Sequence, residues 1–195
     1  MTGAALAQTA ALDQLKQTQA DSSLTDAALK TGARVTTLCA SCHGASGNSV
    51  QPDTPNLAGQ NPRYMLVQMR RFEEGQRQNE FMQRLIKAMS IDERIGAALH
   101  FSRQFVTTRP PADAALVAQG KSYYERVCFR CHGGDGHGTE SYARLAGQQI
   151  PYVTMVLKRY RDSTDSRIDP VMASNAKLMS DHDIEAVAAY VASMP

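Results

Sequence analysis

Apolar positions recur at helical spacing near the end of the chain. Ile184, Val187, Ala188 and Val191 fall at i, i+3, i+4 and i+7, which makes one face of a helix. The residues ahead of that face mark its start. Ser180 with Asp183 three positions on is a capping-box pattern, and Met179 with Ile184 fits the hydrophobic pair that brackets such a cap. Ser90 and Glu93 repeat the cap upstream. Other helices are predicted from Asp26 and Asp113, each running toward a cysteine cluster, and from near Tyr64 and Tyr152. The glycine clusters "GASGNS" and "GGDGHG" read as irregular chain. No convincing run of strands is present, so the expected class is all-α.

These elements come in pairs because the chain repeats itself. "DAALKTGARVTTLCASCHG" from Asp26 lines up with "DAALVAQGKSYYERVCFRCHG" from Asp113. "NLAGQ" ending at Gln60 matches "RLAGQ" ending at Gln148, and "YMLVQMRRF" from Tyr64 matches "YVTMVLKRY" from Tyr152. "MQRLIKAMS" from Met82 matches "MASNAKLMS" from Met172, and the offset drifts only between 87 and 90. The expected organisation is a tail over residues 1–25, read as flexible in preference to a weak helix lying on the body, a first domain over 26–102, a linker over 103–112 and a second domain over 113–195. Pro110 and Pro111 stiffen that linker.

Composition narrows the function. Two domains cut from 195 residues have thin cores, and the chain has no Trp and only 6% aromatics. Something besides side chains must fill them. A net charge of +2 without a basic run argues against nucleic acid. No stretch of 18 apolar residues exists, so no membrane span is expected. The start "MTGAALAQTAALDQ" lacks a positive n-region and a long apolar run. It reads either as an ordinary polar tail or, through Ala5-Leu6-Ala7, as the end of a secretory signal already removed.

All four cysteines lie in "CASCHG" at Cys39–Gly44 and "CFRCHG" at Cys128–Gly133. Disulfides, a redox pair and zinc each use Cys-x-x-Cys. The histidine directly behind each pair argues against all three, and pairs 89 residues apart do not suit one zinc ion. Cys-x-x-Cys-His is the signature of covalent c-type haem attachment. Two copies that use every cysteine predict two covalently attached haems. Cys39 and Cys42, and Cys128 and Cys131, are the expected thioether anchors. His43 and His132 are the expected proximal iron ligands. His100, His137 and His182 have no counterpart in the other half and are read as surface or loop residues.

A sixth ligand separates an electron carrier from an enzyme with an open iron, and a methionine thioether suits a carrier. Repeat logic leaves Met82 with Met172, and Met89 with Met179. The second pair sits where the caps need hydrophobic neighbours. Met82 and Met172, in the stretch read as a loop entering each last helix, are the expected ligands.

Paired "CxxCHG", "LAGQ" and a Met eight residues before the capping Ser resemble the dihaem cytochrome c4 family over residues 26–195. The resemblance implies two tandem class I cytochrome c domains about a pseudo-twofold axis, with His/Met iron in each and haem propionates near the interface. It also selects Met82 and Met172. It implies that the carbonyl of Pro55 holds the His43 imidazole. The second half has Ala143 there, and a backbone carbonyl at that place still serves His132. The family's Gly-x-Arg survives as Gly75 and Arg77 but becomes Ser163 and Asp165. Gln60, Gln148 and Arg77 are read as donors to propionates or as plain polar surface, and Tyr64 and Tyr152 as packing on the haem edge.

The resemblance implies a periplasmic carrier of single electrons. Its donor is expected to be a quinol-oxidising complex or periplasmic dehydrogenase, and its acceptor a terminal oxidase. The alternative is a small haem enzyme, or the electron-transfer subunit of one such as a sulfur-compound dehydrogenase.

Overall fold

Asp21 divides the first helical stretch of the chain. Its carboxylate accepts the backbone N–H groups of Ser23 and Leu24 at 2.8 and 3.2 Å, the side-chain cap that starts a helix. α1 (Gly3–Ala20) therefore ends where α2 (Ser22–Val35) begins. The computed structural model describes residues 3–107, 113–164 and 169–195, with side chains from residue 10 onward. Pro110, Pro111 and Asp165 lie outside the described residues, as do the side chains of Ala5, Leu6 and Ala7.

After α2 come the short α3 (Ala40–His43), then α4 (Pro62–Glu73), α5 (Glu80–Ala88) and α6 (Ile91–Ser102). The second half repeats the order as α7 (Ala114–Tyr124), α8 (Phe129–His132), α9 (Ile150–Asp162), α10 (Pro170–Ala176) and α11 (Asp181–Ser193). The described residues contain no strand. Both capping boxes form, with the hydroxyls of Ser90 and Ser180 accepting from the N–H groups of Glu93 and Asp183 at 3.3 and 3.1 Å. Met179 and Ile184 are buried in one cluster, as the cap predicts.

Two sequence expectations change. The stretches around Met82 and Met172 are helices, not loops. Asn79 and Asp169 cap them by accepting the N–H of Met82 at 3.0 Å and of Met172 at 3.2 Å. The expected N-terminal tail is a helix too. Leu15 on α1 is 2% exposed and shares a core with Met65, Leu66, Ile95 and Leu99.

The repeat explains why α1 docks on one half only. Where the first half has Ile95, 2% exposed, the second has Glu185, which is exposed. Where the first has Leu99, the second has Ala189. An apolar stripe exists on α6 that α11 lacks, and burying it is favourable. Leu15→Ala is therefore expected to lower stability by about 3 kcal/mol, through lost burial and a residual cavity. A denaturant titration of the intact protein measures it, and an unchanged midpoint means that α1 is detached in solution.

The terminal helices of each half cross at close range. A Cβ on Gly32 of α2 would lie 2.2 Å from the carbonyl oxygen of Gly96 on α6. One on Gly120 of α7 would lie 1.9 Å from that of Ala186 on α11. Only a hydrogen fits at either crossing.

The halves face each other through their "LAGQ" turns. Val106, from the segment after α6, reaches against both Gly59 and Gly147, where a Cβ would meet it at 3.1 and 2.1 Å. Around it runs a reciprocal set of hydrogen bonds from Gln60 and Gln148 to the opposite half.

Candidate haem sites

Each cysteine pair spans one helical turn, which brings both sulfurs to one side with the histidine next in line. His43 N–H bonds the Cys39 carbonyl at 2.9 Å, and His132 N–H bonds that of Cys128 at 3.1 Å. Gly44 and Gly133 follow at φ values of 78° and 80°. That conformation is open to glycine and strained for other residues, and it turns the chain away at once behind each imidazole.

Both imidazoles are buried, at 8% exposure for His43 and 7% for His132. His43 Nδ1 donates to the Pro55 carbonyl at 2.9 Å, and His132 Nδ1 to the Ala143 carbonyl at 2.8 Å. A carbonyl only accepts, so Nδ1 carries the proton and Nε2 keeps its lone pair. Burial pushes both pKa values below the ordinary histidine range, against the opposing pull of the carbonyl bond. The charge of Arg77 depresses His43 further, whereas Asp169 raises His132. Neutral imidazole is the ligating form. His132 Nε2 is buried without a hydrogen-bond partner among the described residues. A buried orphan lone pair is costly unless something binds it, and a metal does so. The residues present therefore fit a haem.

The thiol chemistry agrees. Burial pushes Cys128 up to about 12, and raises Cys39 with help from neighbouring Cys42. Thiols raised in this way carry little of the thiolate that redox exchange needs. No disulfide joins them. Among the described residues no three His, Cys, Asp or Glu side chains converge as metal ligands.

The methionine pairs differ in burial in the same way in both halves. Met89 and Met179 are core residues at 8% and 6% exposure. Met82 and Met172 are half-buried at the edges of their cores. Met172 and Cys128 pack against the same cluster, whereas Met82 and Cys39 border different ones.

Several expected donors have other work. Gln60 and Gln148 are 7% exposed and hold backbone of the opposite half, so they are not surface polar residues. Arg77 stacks its guanidinium 4.4 Å from the Phe72 ring centre and donates to the Tyr152 hydroxyl at 2.9 Å, across the interface. Of the unmatched histidines, His100 packs edge-on against Phe101, His137 bonds the Pro195 carbonyl, and His182 meets Gln119.

Two residues escaped the sequence reading. Gln149, 1% exposed, donates to the carbonyls of Ser49, Gln51 and Thr54 in the loop behind His43. Tyr124, fully buried, donates to the Gly133 carbonyl at 2.7 Å. The available signal for Gln149 was an amide at the same place in both copies, since Asn61 is its counterpart.

Fold and paired motifs together define a tandem c-type cytochrome, two cytochrome c domains each built around one covalently attached haem. The comparisons agree. The family model described as Cytochrome c matches residues 29–89, and that described as Cytochrome C oxidase, cbb3-type, subunit III matches residues 115–191. Cytochrome c4 of Pseudomonas aeruginosa is 34% identical over 166 residues, covering 79% of this chain and 82% of the relative. A thiosulfate dehydrogenase electron acceptor of Thiomonas intermedia is 31% identical, covering 80% and 78%. The crystal structure of reduced recombinant cytochrome c4 from Pseudomonas stutzeri superposes with a TM-score of 0.77 at 27% identity, covering 86% of this chain and 98% of that one. The chain belongs to the cytochrome c4 family of dihaem electron carriers.

Proposed function

We propose that this protein passes single electrons between redox proteins through two closed His/Met haem sites. Cys39 and Cys42 anchor one haem and Cys128 and Cys131 the other. His43 and Met82, and His132 and Met172, ligate the irons. The observation that carries this reading is the pair of buried imidazoles with Nδ1 tied to a carbonyl. Each bound haem supplies one-electron exchange between ferric and ferrous iron. The chain holds each imidazole neutral and in one orientation, and its core keeps water from it. With a histidine and a methionine both given to the iron, neither haem would offer a position for substrate.

The site of action is the periplasm, where c-type haem is attached in bacteria. No helix among the described residues is long and apolar enough to cross a membrane. The similarity to a thiosulfate dehydrogenase electron acceptor supports a periplasmic dehydrogenase as donor, with a terminal oxidase as acceptor.

A visible spectrum, oxidised, reduced and reduced under carbon monoxide, tests the reading. The expected result is a sulfur-to-iron charge-transfer band from both haems and no response to carbon monoxide. If half the haem binds carbon monoxide, one iron is open and a haem enzyme becomes the better reading.

A further inference from the structure

The interface hydrogen bonds meet the haem sites at one peptide unit in each half. The carbonyl of Pro55, which accepts from His43 Nδ1 at 2.9 Å, shares a peptide plane with the N–H of Asn56. That N–H donates to Oε1 of Gln148, in the other half, at 2.8 Å. Gln148 Nε2 closes the grip by donating to the Asn56 carbonyl at 3.1 Å. The second half mirrors this. The Ala143 carbonyl accepts from His132 at 2.8 Å, and the N–H of the same peptide, at Arg144, donates to Gln60 Oε1 at 2.8 Å. Gln60 Nε2 then donates to the Arg144 carbonyl at 3.1 Å.

A peptide unit is planar and stiff, so holding its N–H sets the direction of its C=O. We propose that the two halves cross-brace their haem sites: Gln148 positions the imidazole of His43, and Gln60 that of His132. Both glutamines are positioning residues acting through a peptide they do not share a half with. Gln149 adds to the brace on His43 alone, through its three carbonyl contacts over residues 49–54. Its counterpart Asn61 makes one such contact, to the His137 carbonyl.

The arrangement has an electronic consequence. A peptide whose N–H is bonded is a better acceptor at its C=O, because hydrogen bonds in a chain polarise one another. A stronger bond at Nδ1 makes the imidazole a more basic ligand. Basic ligands favour ferric iron, so each brace lowers the potential of the haem in the opposite half. The inference rests on His43 and His132 being the proximal ligands.

The test is nuclear magnetic resonance of the reduced, diamagnetic holoprotein with ¹⁵N-labelled histidine, together with a redox titration. Large haem ring-current shifts on both imidazoles report ligation and test that reading separately. Gln148→Met, close in volume but without the amide, is expected to speed exchange of the His43 Nδ1 proton about tenfold. It should raise one of the two potentials and leave His132 unchanged. Gln60→Met should do the reverse, acting on His132 and on the other potential. If Gln148→Met does not fold, Gln149→Met tests the same direction, with an effect at His43 only. Ring-current shifts without the crossed pattern overturn the brace, as does an effect confined to the half that carries the substitution. Absent ring-current shifts overturn the ligand reading instead, and the brace with it.

Discussion

Met172→Ala is expected to open one iron and leave the other closed. Carbon monoxide should then bind half of the reduced haem, and half of the sulfur-to-iron charge-transfer band should vanish. The potential of the opened haem should fall, since thioether ligation raises it, within an axial-ligand range of about 0.8 V. Met179→Ala supplies the contrast. Met179 is 6% exposed beside Ile184, so its loss should cost about 2–4 kcal/mol of stability without any response to carbon monoxide. If Met179→Ala binds carbon monoxide and Met172→Ala does not, the ligand assignment passes to the other pair.

Gly120→Ala is expected to destabilise the protein by about 3 kcal/mol, a large cost for one methyl group. The new Cβ would stand 1.9 Å from the Ala186 carbonyl oxygen and 2.4 Å from its carbon. Backbone cannot swing aside as a side-chain tip does, so α7 and α11 must separate. Gly134→Ala is the control, because a Cβ there meets nothing within 4 Å and φ is not positive. Its effect should stay within about 0.5 kcal/mol. Denaturant midpoints of the two holoprotein variants decide between them. Equal midpoints would mean that the crossing is looser than its geometry.

The sequence was informative wherever the controlling interaction is local. Ser90 and Ser180 cap their helices through residues three positions away, so the capping boxes could be read directly. The apolar face of α11 follows from spacing alone. The bond from His132 to residue 143 needed only a backbone carbonyl, which Ala143 provides as well as a proline. Around Met82 and Met172 the sequence misleads, because a lone Asn or Asp ahead of a stretch of only seven to nine residues signals a turn as readily as a helix start. Asn79 and Asp169 became caps once the methionine N–H groups lay within reach.

By itself the sequence determined the duplication, the helical class, the presence of two covalently attached haems and the two capping boxes. Each is written in residues a few positions apart, or in the covalent chemistry of Cys-x-x-Cys-His. Only the tertiary structure decided where Leu15, Gln60, Gln148 and Gln149 would find partners. α1 looks polar enough to float free until Ile95 and Leu99 present a stripe for it. Glutamine has many possible partners along an isolated chain. Gln148 reaches Asn56 across 92 positions, and that choice is made by the packing that brings two halves face to face.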